Sequence, residues 1–325
     1  MKKILSIFTV SFALVFSSSA FANTIGVVYD SGGKFDKSFN ELAFNTAERV
    51  VNELGWGMIE FESANDNQIE QGMRKIADRG ATMIVGMGFA QADAVAAVSA
   101  DYPDIKFVAV DVCWLDDPNN NIYQACYKEH EGSFLVGMMA AMASKSGTIG
   151  FVGGMDIPLI RKFQGGYEQG AQYVNPDITV LANMTGTTNE AWNNPTKGAE
   201  LTKAQIDGGA DVVYQAAGGT GIGVLQAAAD AGIMGIGVDS NQNWMHPGNM
   251  LTSMLKRLDL TIFEQAKNVE SGRFESGINI LGLSEGMLGY ATEDGMVTSE
   301  MAAAADAAAA DIASGALVVA DWSQE

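Results

Sequence analysis

Three aspartates each close an apolar run. Asp30 follows the run at 24–29, Asp111 the run at 105–110, and Asp239 the run at 233–238. An ionised carboxylate only accepts hydrogen bonds, so three of them around one space suit a ligand rich in N–H and O–H donors. Taken singly, each reads as a cap on a loop or on the next helix. Their common place after apolar runs changes that reading, because ligands of open α/β sheets sit at the carboxyl ends of the strands. The first aspartate opens the stretch Tyr-Asp-Ser-Gly-Gly-Lys-Phe-Asp-Lys-Ser-Phe-Asn at 29–40. Gly32 and Gly33 permit a tight turn, Asp36 or Ser38 can cap a following helix, Phe39 offers an aromatic face and Asn40 an amide. Paired carboxylates can also perform acid–base hydrolysis, as in glycosidases, so a hydrolase is the rival reading.

Other chemistries find little support. The two histidines, His130 and His246, have neither a triad setting nor a ligand cluster around them, so no metal is expected. No Gly-x-Ser-x-Gly elbow appears. The run Gly218-Gly219-Thr220-Gly221-Ile222-Gly223 does not fit the dinucleotide spacing, and no cofactor is expected. It reads instead as a turn where Gly218 and Gly219 let a ligand approach N–H groups at a helix start. Cys113 and Cys126 flank the turn signal Asp117-Pro118-Asn119-Asn120-Asn121, which would let them face each other across a hairpin-like loop. A disulfide is expected there, with two buried thiols as the alternative.

The elements that must position these residues alternate along the chain. Strand patterns fall at 24–29, 57–62, 81–86, 105–110, 147–152, 178–184, 210–215 and 233–238. Helical patterns fall at 67–79, 90–100, 158–174, 196–207 and 221–231. Such alternation predicts an α/β fold with parallel central sheets covered by helices. The chain also resembles itself: 73–111 aligns without a gap on 201–239, and 25–50 aligns on 149–174. These alignments match Asp111 with Asp239 and Phe39 with Phe163. With 47% hydrophobic residues, the chain can fill two cores, and two similar Rossmann-like lobes sharing one cleft are predicted.

Lys2 and Lys3 precede an apolar run that ends in Ala20-Phe21-Ala22, the pattern of a secretory signal peptide over 1–22. An exported, soluble, periplasmic protein is expected. Its net charge goes from -20 to -22 once Lys2 and Lys3 are removed, which disfavours nucleic acid as a partner.

The stretch at 30–40 is similar to the signature of the basic membrane protein family, type I substrate-binding proteins of ABC transporters that include purine nucleoside receptors. Further matches are Glu131-Gly132-Ser133-Phe134, Ala217-Gly218-Gly219-Thr220-Gly221, Gly237-Val238-Asp239-Ser240-Asn241-Gln242 and Leu251-Thr252-Ser253-Met254-Leu255-Lys256-Arg257. The resemblance implies two lobes joined by three crossings, with 23–128 plus 248–284 in one lobe and 129–247 plus 285–325 in the other. It implies that Asp30 and Asp111 read polar ring groups and that Phe39 is one stacking face. Tyr214 would be the opposing face, Asp239 and Lys256 would hold ribose hydroxyls, and Gly218 and Gly219 would approach the ligand. It implies a non-enzymatic, monomeric binding protein that hands a purine nucleoside to an inner-membrane permease. On this reading Asp239→Asn and Lys256→Ala weaken binding without unfolding the chain.

Overall fold

The computed structural model describes residues 23–63 and 65–324; the expected signal peptide at 1–22 lies outside them. The chain opens with β1 (Thr24–Tyr29), α1 (Phe39–Leu54), β2 (Gly57–Glu62), α2 (Ile69–Asp78), β3 (Met83–Met87), α3 (Ala92–Asp101), β4 (Lys106–Val110) and β5 (Ile122–Tyr127). It continues through α4 (Glu129–Ala143), β6 (Thr148–Met155), α5 (Pro158–Val174), β7 (Thr179–Gly186), α6 (Pro195–Asp207), β8 (Val212–Ala216), α7 (Thr220–Asp230), β9 (Met234–Asp239) and β10 (Met250–Lys256). It ends with α8 (Leu258–Glu270), β11 (Gly277–Leu281), β12 (Leu288–Tyr290) and α9 (Ser299–Ser314).

Two six-stranded sheets result, ordered β11-β5-β4-β3-β1-β2 and β12-β10-β9-β8-β6-β7. All pairs in the first sheet are parallel, and in the second only β12 runs antiparallel, on β10. Their central strands are fully buried on both faces, as parallel strands under helices must be. Five strands correspond in order, β1 to β5 with β6 to β10, and the sixth strands differ in direction; the internal alignment matches β1, β3 and β4 with β6, β8 and β9. A shared device explains the aligned Gly26 and Gly150. A Cβ at Gly26 would sit 2.3 Å from Ile76 of α2, and one at Gly150 would sit 2.2 Å from Gln205 of α6. In each lobe the strand is pared to hydrogen so that the equivalent helix can pack closely.

The chain passes between sheets after β5, after β10 and after β11. The second passage differs from the expected boundary at 248. Strand β10 pairs with β9 in the second sheet, so the chain leaves that sheet only at Arg257, and α8 then packs on α1 of the first lobe. Sequence periodicity marks a strand at 250–255 but does not say which sheet it joins.

Cys113 and Cys126 are joined as a disulfide, with Cα atoms 5.7 Å apart. The connection they staple is not hairpin-like. Strands β4 and β5 are parallel, so 111–121 runs back along the sheet as an open strap. Asp117 accepts from the N–H groups of Asn121 and Ile122, and the Asn121 amide donates to the carbonyls of Ser99, Tyr102 and Ile105. Reduction of the bridge is expected to destabilise the protein by about 3 kcal/mol on the loop-entropy account. Thermal unfolding with and without a phosphine reductant measures this. An unchanged midpoint would show that the strap's hydrogen bonds alone hold it.

Candidate ligand-binding site

The turn from β1 to α1 is built by two carboxylates. Asp36 accepts from the backbone N–H groups of Ser38, Asn40 and Glu41 at 2.8, 3.0 and 3.1 Å, so Asp36 satisfies the orphan donors at the start of α1. Asp30 accepts from Gly32 N at 2.8 Å and from Asn40 Nδ2 at 2.5 Å, while Asn40 Oδ1 takes the Asp30 N–H at 3.1 Å. Ser38 is thereby free to reach across to the other lobe. Its Oγ lies 2.8 Å from Asp239 Oδ2 and 3.0 Å from the Val238 carbonyl. Lys37, held at φ 63°, presents its carbonyl to Ser240 Oγ and Gln242 Nε2, both at 3.0 Å. Behind this contact Gln242 is itself fixed by Gln215 Nε2 and Val238 N.

These contacts close the two lobes over a cavity of about 60 Å³. Asp30, Asp111 and Asp239 line it, as do Phe39, Phe163, Phe89, Trp192, Gly218 and Lys256. Asp111 and Asp239 adopt the same left-handed backbone, φ 63° and 65°. That conformation is uncommon outside glycine, and it recurs at equivalent strand ends. Phe89 and Trp192 meet edge to face across the lobes, with centroids 6.5 Å apart.

Lys256 is the hub of the site. Its ammonium lies 2.6 Å from Asp111 Oδ1 and 2.9 Å from Glu129 Oε1. It also lies 5.5, 4.9 and 5.7 Å from the ring centroids of Phe39, Tyr127 and Phe163. Burial alone would discharge the amine, but Asp111, Glu129 and Asp239 outweigh it and raise its affinity for the proton. Burial pushes Asp111 up to about 6 against the pull of Lys256, and pushes Asp36 up to about 7 against its three N–H donors. Asp30 and Asp239 are raised by burial too, opposed by Asn40 and Gly32 for the first and by Lys256 and Ser38 for the second. The cleft therefore carries more acceptors than neighbouring cations can satisfy.

Six of the nine residues expected from sequence line the cavity: Asp30, Phe39, Asp111, Gly218, Asp239 and Lys256. Three do not. Asn40 is fully buried and orients Asp30. Gly219 permits contact between lobes, since a Cβ there would sit 2.8 Å from the Gly32 carbonyl. Tyr214 is fully buried within the second core, against Phe151 and Tyr167, and its hydroxyl meets Ser133 Oγ. Its strand turns that side chain away from the cleft. Phe163, the mate of Phe39 in the internal alignment, lines the cavity instead, as do Phe89 and Trp192. Lys256 and Asp239 both line the cavity, and the ammonium's direct partners are Asp111 and Glu129. Nothing in the spacing pointed to Glu129, Phe89 or Trp192.

Two Rossmann-like lobes that shut a polar, aromatic-walled cleft define a solute-binding protein of the type I periplasmic fold. Residues 23–321 match the family model described as ABC transporter substrate-binding protein, PnrA-like, and the chain belongs to that family. Basic membrane protein A2 of Borrelia garinii subsp. bavariensis is 32% identical over 82% of this chain and 79% of its own length. The ABC transporter nucleoside-binding protein BmpA of Lactococcus lactis subsp. cremoris is 30% identical over 90% and 88%. A solute-binding protein of an ABC transporter system from Aeropyrum pernix K1 superposes with TM-score 0.83 at 26% identity, covering 93% of this chain and 94% of that one. The family binds solutes for transport and is not enzymatic, so the hydrolase reading falls. Among the described residues no helix is long and apolar enough to cross a membrane.

Proposed function

We propose that the protein captures a purine nucleoside, adenosine, guanosine or inosine, in the interlobe cleft and delivers it to an inner-membrane permease. It works as a soluble periplasmic monomer. The observation that carries this reading is the pairing of Phe39 and Phe163, from equivalent helices, with carboxylates at equivalent strand ends. The rings suit a planar base, which gains about 1–3 kcal/mol by stacking. Asp30, Asp111 and Asp239 suit base N–H and ribose O–H donors, and charge-assisted bonds of this kind are stronger than neutral ones. The nucleoside-binding name of the Lactococcus relative supports the same ligand class. Calorimetric titration with adenosine, guanosine, inosine and uridine tests it. Binding of at least one purine nucleoside, tighter than uridine, is expected. No binding to any of the four would remove the nucleoside and leave another ring-bearing polar solute.

Acid should weaken that binding. Asp111, raised to about 6, is an ionised acceptor above that pH and a protonated group below it. Protonation removes the acceptor that a ligand donor needs, so affinity is expected to fall as pH drops from about 7.5 to about 5. Titrations across that range check the sign. Affinity that rises on acidification would mean that the ligand presents acceptors to Asp111.

A further inference from the structure

Glu129 is the least explained ion in the molecule. Its side chain is 0% exposed, it does not line the cavity, and neither carboxylate oxygen makes an aligned hydrogen bond. Burying a carboxylate without such bonds is costly, and an apolar side chain of similar volume is often at least as stable in such a place. Its neighbours are charges: Lys256 Nζ at 2.9 Å and Lys162 Nζ at 3.5 Å. Lys162 in turn donates to the Tyr127 carbonyl at 3.1 Å. Glu129 is the first residue of α4, where the chain first enters the second lobe. Lys256 is the last residue of β10, where the chain is about to leave it. The Glu129–Lys256 contact therefore ties two of the three passages together at the floor of the cleft.

An ammonium group has three N–H donors and no preferred rotation of its own. On Lys256, Asp111 takes one side at 2.6 Å and Glu129 another at 2.9 Å, while three aromatic rings crowd the rest. Lys256 nevertheless lines the cavity. We propose that Glu129 is a positioning residue: its charge, 2.9 Å from the Lys256 ammonium, holds that group at the cleft opposite Asp111, where N–H donors that Asp111 does not take serve a ligand acceptor. On the nucleoside reading, on which this inference rests, that acceptor is a ribose hydroxyl oxygen. The same hydroxyl can donate its proton to a neighbouring carboxylate, so a lysine and an acid together recognise the ribose and discriminate against a deoxyribose.

The test is a cycle between protein and ligand. The purine nucleoside that binds tightest is titrated into wild type and Glu129→Gln, beside its 2′-deoxy and 3′-deoxy analogues. In wild type one deoxy analogue is expected to bind about tenfold weaker, as befits a bond to a charged donor. In Glu129→Gln the parent nucleoside should bind about tenfold weaker, and that analogue's penalty should shrink to about twofold or less. Glu129→Asp, which restores the charge, should recover part of the penalty. A penalty that is the same in wild type and Glu129→Gln overturns the inference while leaving the nucleoside reading intact. Loss of the thermal transition in both variants marks Glu129 as structural support and overturns it too. Failure of wild type to bind any nucleoside brings down the reading and the inference together.

Discussion

Lys256→Ala is expected to lower the stability of the fold by about 3–5 kcal/mol as well as abolishing binding. Sequence alone suggested a loss of binding only. The difference is burial: the Lys256 side chain is 1% exposed, with Asp111 at 4% and Glu129 at 0%. Truncation leaves two almost fully buried acids without their cation, and their mutual repulsion is no longer offset. The deficit should depend on pH. Asp111 already stands above its ordinary value with Lys256 present, and loss of the ammonium removes the largest force holding it down. A group whose folded pKa exceeds its unfolded one binds protons more tightly in the folded chain. The variant should therefore be most stable at about pH 4 and lose stability as pH rises through the folded value. Urea unfolding of wild type and variant at pH 5 and pH 8 reads this directly. A deficit that is equal at both, or larger at pH 5, would show that the acids are not stranded.

Phe163→Leu and Phe39→Leu should each weaken purine nucleoside binding about tenfold or more, through loss of a stacked face worth about 1–3 kcal/mol. Leucine keeps most of the buried volume, so the thermal midpoint should move little for either. Tyr214→Phe is the control. It deletes a hydroxyl that hydrogen-bonds Ser133 within the second core, so affinity should stay within about twofold while stability falls by about 1 kcal/mol. If Tyr214→Phe weakened binding and Phe163→Leu did not, the assignment of the second stacking face would be reversed.

The fold was legible in the sequence because its causes are local. Runs such as Ile25–Tyr29 and Phe107–Val110 are apolar at every position, as two-sided burial requires, and the helices between them repeat at their own period. The internal alignment brought Asp111 onto Asp239 and Phe39 onto Phe163, and both pairs lie on the cleft. The composition, the strand-end aspartates and the motif at 30–40 together located one wall of the site.

Tertiary structure decided what each residue faces. Tyr214 sits in a strand whose alternate residues point to opposite sides, and only the packing of Phe151 and Tyr167 shows that it points into the core. Strand β10 could have joined either sheet until its pairing with β9 was seen. Asn40 and Ser38 differ in role because Asp36 caps α1 and Ser38 meets Asp239 from the other lobe. Above all, the partners of Lys256 lie far from it along the chain, Asp111 by 145 positions. Propensity and periodicity act over a few residues, so they set the elements. The charge balance of the cleft depends on buried side chains that lie far apart along the chain, Asp111, Glu129 and Lys256, and no local pattern records their meeting.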